Sequence, residues 1–115
     1  MTFNNNLALE DAQLGMNPNL TTADFSQTPS LRTLLLGVCG FSSLDLSACH
    51  QIDTLEVFAN KLTSLKIGQG TSLGKFFIFG NQLSVCSLDP IFENLGNALT
   101  PGAYIVARYN DEIMM

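Results

Sequence analysis

From Leu34 onward the apolar residues come in short alternations: Leu34 and Leu36, Leu44 and Leu46, Leu55 and Val57, Leu65 and Ile67, Phe76 and Ile78. A period of two is the mark of a short strand with one face buried. The starts of these segments, Leu34, Leu44, Leu55, Leu65, Phe76 and Cys86, lie alternately 10 and 11 residues apart, so the whole pattern repeats every 21 residues. Each unit is therefore two similar halves. A repeat of this length is one turn of a solenoid, because a single unit cannot bury its own apolar face and must stack on its neighbours.

Aligning the units defines the interior. On the first-half side Leu34, Leu55 and Phe76 coincide, as do Leu36, Val57 and Ile78, then Cys39, Asn60 and Asn81, then Phe41, Leu62 and Leu83. The other side contributes Phe25, Leu31, Leu44, Leu46, Cys49, Ile52, Leu65, Ile67, Leu73 and Leu88. The segments LxLxxCxFSSLDLSxC and LxVxxNxLTSLxI resemble leucine-rich repeats, and the 21-residue unit with its nested half-period resembles the bacterial IRREKO class. That resemblance covers residues 13 to 96 and implies a parallel solenoid used for binding, with no catalytic residues to carry over. The first unit departs from the pattern, since Gln13, Gly15 and Pro18 stand at apolar or Asn sites.

The expected organisation is an amino-terminal arm over 1–12, a solenoid over 13–96 in units 13–33, 34–54, 55–75 and 76–96, and a strand and tail over 97–115. Short parallel strands on two sides of each coil should stack about 4.8 Å apart. Asp89 as N-cap, Pro90 at the first helical position and Gly96 as the stop predict one short helix over 89–96, with Ile91, Phe92 and Leu95 turned to the core. After the turn signal Thr100, Pro101 and Gly102, the β-formers over 104–109 predict a last parallel strand beside the one at Phe76.

Composition narrows the function classes. The chain has 115 residues, 46% hydrophobic and 13% charged, enough apolar surface for one packed core. No apolar run approaches the roughly 18 to 20 residues that span a bilayer, so membrane insertion is not expected. The net charge is −5, and Arg32, Lys61, Lys66, Lys75 and Arg108 are scattered, which leaves no phosphate-tracking patch and makes nucleic acid a poor partner. The segment MTFNNNLALED lacks the cationic and apolar regions of a secretory signal, so a cytoplasmic location or an assembled particle is expected. Three cysteines do not make a disulfide framework, which fits a reducing compartment.

Candidate chemistry is sparse. Cys49 and His50 are adjacent, and neighbouring residues on an extended segment point to opposite faces, so they cannot form a nucleophile–base pair. Cys39, Cys49 and Cys86 read as buried hydrophobes, and they lack chelating spacing for a metal. The carboxylates Asp24, Asp45, Asp53 and Glu56 form no recurring close pair. No enzyme chemistry, metal or cofactor is expected. Asn60 and Asn81, with Cys39 at the same position, read as a ladder that satisfies backbone groups at the bend.

The outward positions of the first-half strands are unusual. Alternation turns Leu35, Gly37 and Val38, then Glu56, Phe58 and Ala59, then Phe77, Phe79 and Gly80 to the surface, an apolar stripe. The outward positions of the second half, Asp24, Asp45, Ser47, Lys66, Gly68, Gln69 and Ser87, read as a solvated sheet. Contiguous apolar patches mark interaction surfaces. Leu35, Val38, Glu56, Phe58, Phe77 and Phe79 are thus the expected contacts to another protein or to another copy of this chain, unless the arm with Phe3 and Leu7 or the tail with Met114 and Met115 folds over them. The expected function is a non-enzymatic protein-interaction module. The alternative is a structural subunit of a larger assembly such as a virion or surface layer, because solenoid ends without polar caps expose edge strands.

Overall fold

A computed structural model describes residues 7–68, 71 and 73–84, together with the backbone of 104–106. The chain winds as a parallel β-solenoid of about three turns. Its strands are β1 (Asp11–Gln13), β2 (Thr33–Leu35), β3 (Ser43–Leu46), β4 (Thr54–Glu56), β5 (Ser64–Ile67), β6 (Lys75–Phe77) and β7 (Tyr104–Val106). All pairings are parallel. One sheet has the order β1-β2-β4-β6-β7 and the other is the pair β3-β5, so first-half and second-half strands lie on two sides of each coil.

The registers reproduce the 21-residue repeat. Leu34 pairs with Leu55, Leu55 with Phe76, Leu44 with Leu65 and Leu46 with Ile67. Every expected interior residue within the described range is buried, from Phe25 and Leu31 through Leu34, Leu36 and Phe41 to Ile78 and Leu83. The strand expected after Thr100 is present as β7 beside β6. The helix expected over 89–96, the interior positions Cys86 and Leu88, and residues 107–109 lie outside the described residues.

The first coil differs from the expected alignment. Ala12, not Gln13, pairs with Leu34, which makes the repeat 22 residues there, and β1 straddles the boundary expected at 12–13. Leu14 N–H donates to Leu35 and Met16 N–H to Gly37, just as Leu36 N–H donates to Glu56 and Val38 N–H to Phe58. Asn17, not Pro18, therefore stands at the ladder position. The spacing returns to 21 by Leu20, which accepts from Gly40 N–H as Phe41 accepts from Lys61 N–H and Leu62 from Gln82 N–H. One residue is inserted between Asn17 and Leu20.

After each first-half strand the chain bends through a left-handed residue. Met16, Val38, Ala59 and Gly80 have φ of 63°, 58°, 54° and 72°. Only Gly80 adopts this without a Cβ penalty. The next residue repairs the bend. Asn60 donates from Nδ2 to the carbonyls of Leu36, Val57 and Phe58 at 2.9, 3.0 and 3.1 Å and accepts at Oδ1 from Phe41 N–H at 3.1 Å. Asn81 repeats this one coil on, donating to Val57, Ile78 and Phe79 and accepting from Leu62 N–H. Both side chains are buried. Each amide thus meets groups of its own coil and of the coil before.

Cys39 fills the same place with a thiol, whose Sγ lies 3.4 Å from Leu14 O and 3.9 Å from Gly37 O. The insertion explains the exchange. Leu20 N–H, which corresponds to the donor that meets Asn60 Oδ1, is already bonded to Asn17 O at 2.9 Å. An amide oxygen here would be buried without a donor, whereas a thiol needs none.

Two outcomes follow from this ladder. Asn60→Ala and Asn81→Ala should each destabilise by roughly 1 to 3 kcal/mol, because buried carbonyls and an N–H lose their partner. Cys39→Asn should also destabilise, by about 1 kcal/mol or more, although Asn is the residue of the neighbouring coils. Urea unfolding midpoints check both; a raised midpoint for Cys39→Asn would mean that Leu20 N–H is free to switch partners.

Candidate functional site

The first-half face carries two outward columns. One runs Leu35, Glu56, Phe77 and the other Gly37, Phe58, Phe79, with successive members one repeat apart. Rings on adjacent coils of a column are held at strand spacing, close to the separation at which aromatic faces stack. Phe58 and Phe79 do stack, with centroids 4.9 Å apart and planes 8° from parallel. Phe77 lies beside them, 6.1 Å from Phe79 and tilted by 53°.

The stack leans onto the coil below. A Cβ on Gly37 would stand 2.4 Å from the Phe58 ring, so the absence of a side chain at Gly37 makes the seat for that ring. Gly37 is consequently buried rather than outward. The whole stripe is less exposed than alternation alone implies: Leu35, Val38, Glu56, Phe58, Phe77 and Phe79 are all half-buried. Among the described residues the large apolar side chains that stand well exposed are Leu7 and Met16 instead. Val38 and Ala59 belong to the left-handed bend rather than to a strand.

The stripe also has a charged margin. Lys75 Nζ lies 3.2 Å from Glu56 Oε2 and 4.8 Å from the Phe77 ring centroid, so one ammonium joins the acid and the aromatic face. Its position beside the stripe follows from the β4–β6 register, which sets Lys75 diagonally across from Glu56. Gly37 and Lys75 are the residues that sequence reasoning left out of this site. The column identity of Gly37 with Phe58 and Phe79 was visible; that a ring would lean back over the smaller residue was not.

The second-half face is polar, as expected. Thr21, Thr22, Ser42, Ser43 and Ser64 line a shallow groove of about 390 Å³ with Asp45 and Lys66. Asp24 and Asp45 each close a local turn, accepting from the N–H of Ser26 and Ser47 at 2.9 Å, and Ser47 Oγ adds a bond of 2.6 Å to Asp45. The Ser47 hydroxyl and then its N–H hold the Asp45 carboxyl below the ordinary aspartate value, with Lys66 acting in the same direction, and Ser26 does the same for Asp24. Gly68 is not part of the exposed set, because the His50 ring covers it. Gln69 and Ser87 lie outside the described residues.

The thiols and the histidine do not converge. Cys49 is buried, with Sγ 3.3 Å from Phe25 O and 3.8 Å from Thr28 Oγ1, while His50 is exposed with its ring over Gly68. Burial pushes the Cys49 thiol up, against a smaller opposite effect of Thr28, which disfavours the reactive thiolate. Cys39 is buried in the ladder. Among the described residues no group of three or more His, Cys, Asp or Glu could hold a metal ion, and no helix is long and apolar enough to cross a membrane.

Gly37→Ala should destabilise by about 1 to 3 kcal/mol, because the added methyl must displace the Phe58 ring from its seat; a midpoint shift under a few tenths of that would mean the ring swings away freely. A second outcome concerns acid. A carboxyl whose pKa is lower folded than unfolded stabilises the fold above the unfolded value and loses that contribution as pH falls through the folded value. Asp45→Asn keeps the turn acceptor but removes the titration, so its stability should decline less steeply than that of the parent between about pH 5 and 2. Urea midpoints across that range check it, parallel curves being the contrary result.

No family model, no curated protein and no solved structure matches this chain.

Proposed function

We propose that the chain is a non-enzymatic protein-interaction module of the leucine-rich-repeat type, and that it grips another polypeptide through Leu35, Val38, Glu56, Phe58, Phe77 and Phe79. The observation that carries this reading is the fixed ring stack of Phe58 on Gly37 and Phe79 on Phe58. A half-exposed aromatic already locked by its neighbours loses little side-chain freedom on binding, which is the property of an anchor residue. Phe77 and Leu35, the adjoining column, supply apolar surface beside the stack. The Glu56–Lys75 pair supplies a polar rim, which tends to set orientation more than affinity. The partner this chemistry suits is a protein surface with apolar side chains at its centre and at least one charged or hydrogen-bonding group at its edge. Among the described residues the second-half face lacks a comparable anchor, since its exposed outward residues are short hydroxyls and solvated charges.

The test separates binding from folding. Phe58 and Phe79 hold each other, so they are left in place, and Leu35→Ser with Phe77→Ser removes the adjoining apolar surface. The double variant should stay folded and lose no more than about 3 kcal/mol of unfolding free energy, since two half-exposed side chains each contribute about half of a full burial of roughly 1.5 to 3 kcal/mol. It should bind a protein captured by the parent about thirtyfold more weakly, equivalent to about 2 kcal/mol. Titration of the purified partner against parent and variant measures this; equal affinities would place the contact elsewhere.

A further inference from the structure

The amino-terminal end of the solenoid is unfinished in three independent respects. First, among the described residues β1 is paired along one edge only. Leu14 and Met16 N–H donate to the second coil and Glu10 O accepts from Arg32 and Thr33 N–H. Peptide groups alternate sides along a strand, so those of Asp11, Gln13 and Gly15 face away from the sheet. Second, the ladder stops with an acceptor open. Asn17 Nδ2 donates to Leu14 O at 2.6 Å and to Gly15 O at 3.2 Å, the bonds Asn60 makes within its own coil. Among the described residues its Oδ1 has no partner, where Asn60 and Asn81 accept an N–H from a preceding coil. Third, the interior columns start half-open. Leu14 and Leu20 are only partly buried while Leu36 and Phe41 above them are fully so, and Leu14, Asn17, Pro18, Asn19 and Leu20 line an open, mostly apolar hollow of about 440 Å³.

We propose that this end is the docking surface for a second copy of the same chain, which enters head to tail by the free edge of its β7. Within the sheet each strand from β2 to β6 pairs one edge with the strand before and the other with the strand after. Among the described residues β1 has used only the second kind of edge and β7 only the first. The two free edges are therefore complementary in direction, and β7 of one molecule gives β1 of the next the parallel pairing that each internal strand already gives its successor. Unprotected edges of this kind pair readily. The contact joins two different surfaces and continues the coil-on-coil stacking of the solenoid, so it extends into a row of molecules. The net charge of −5 on each copy opposes the approach and is screened beyond about 8 Å at physiological salt, so association strengthens with salt. This docking surface is separate from the aromatic stripe and stands or falls without it.

The decisive experiment uses two edge blocks. Gln13→Pro removes an outward N–H of β1 without touching a bond to β2, and Ile105→Pro does the same on the far edge of β7, positions of the sort where a sheet accepts proline. Sedimentation velocity at physiological salt should show the parent growing with concentration and each variant, with unchanged circular dichroism, remaining monomeric. Mixed in equal amounts, the two variants should form a dimer and nothing larger, because each supplies the edge the other lacks. Should Ile105→Pro unfold, Gln13→Pro added to the parent must shorten its oligomers as a chain terminator. A parent that is monomeric at every concentration would overturn the proposal and mean that the end is covered from within the chain. Oligomers that persist unchanged in both variants would overturn it too, by placing self-association on another face.

Discussion

The bend after each first-half strand forces peptide groups to turn inward where no strand can meet them. At Phe41 and Leu62 these are N–H groups, and at Leu36, Val57 and Ile78 they are carbonyls, all within the core. Left alone, such groups would cost more than the burial of a neighbouring leucine contributes. The buried amide of Asn60 or Asn81 removes that cost in one step, because it offers two donors and an acceptor from a single side chain of fitting length. The left-handed residue just before it, Ala59 or Gly80, is what aims the amide inward. Bend, strain and ladder are a single device, and the apolar columns can pack only because it repeats in register.

The same register governs the outer surface. Stacking coils at strand spacing brings equivalent side chains into van der Waals range, so an outward column behaves as a unit rather than as separate exposed residues. Where the column holds Gly37, Phe58 and Phe79, the rings collapse toward the glycine and become part of the stacking energy. Where it holds Asp24, Asp45 and Lys66, opposite charges meet across one step and like charges across another. Surface composition and fold stability are consequently linked on the aromatic side and largely independent on the hydroxyl side.

Much of this was legible in the chain itself, and the boundary of legibility has physical causes. Leu34, Leu55 and Phe76 could be aligned because a 21-residue period multiplies a period of two, and few arrangements satisfy both. The buried places of Asn60, Asn81 and Cys39 followed from the same alignment. The first coil was misaligned by one residue because Ala12 is a weak marker of core, and the insertion before Leu20 placed Asn17 one residue off the 21-residue spacing. Alternation gives the direction in which Phe58 leaves the backbone but not the neighbour it falls upon, so the seat at Gly37 and the half-burial of the stripe required coordinates. Lys75 escaped notice because its role depends on two partners in other positions, Glu56 and Phe77, at once.

The ladder has an orientation. Asn60 serves Leu36 and Phe41 of the coil before it, and Asn81 serves Val57 and Leu62 of the coil before its own, so each turn relies on the turn that follows to complete its own peptide bonding. Dependence thus runs backward along the chain while synthesis runs forward. A nascent coil leaves the ribosome with its inward N–H, that of Phe41 or Leu62, still open and is completed only when the next asparagine arrives about twenty residues later. Loss of the last turn would injure the one before it, whereas loss of the first would leave every later amide with its own coil intact, and the solenoid is in that sense a vectorial object whose two ends are not equivalent in what they risk.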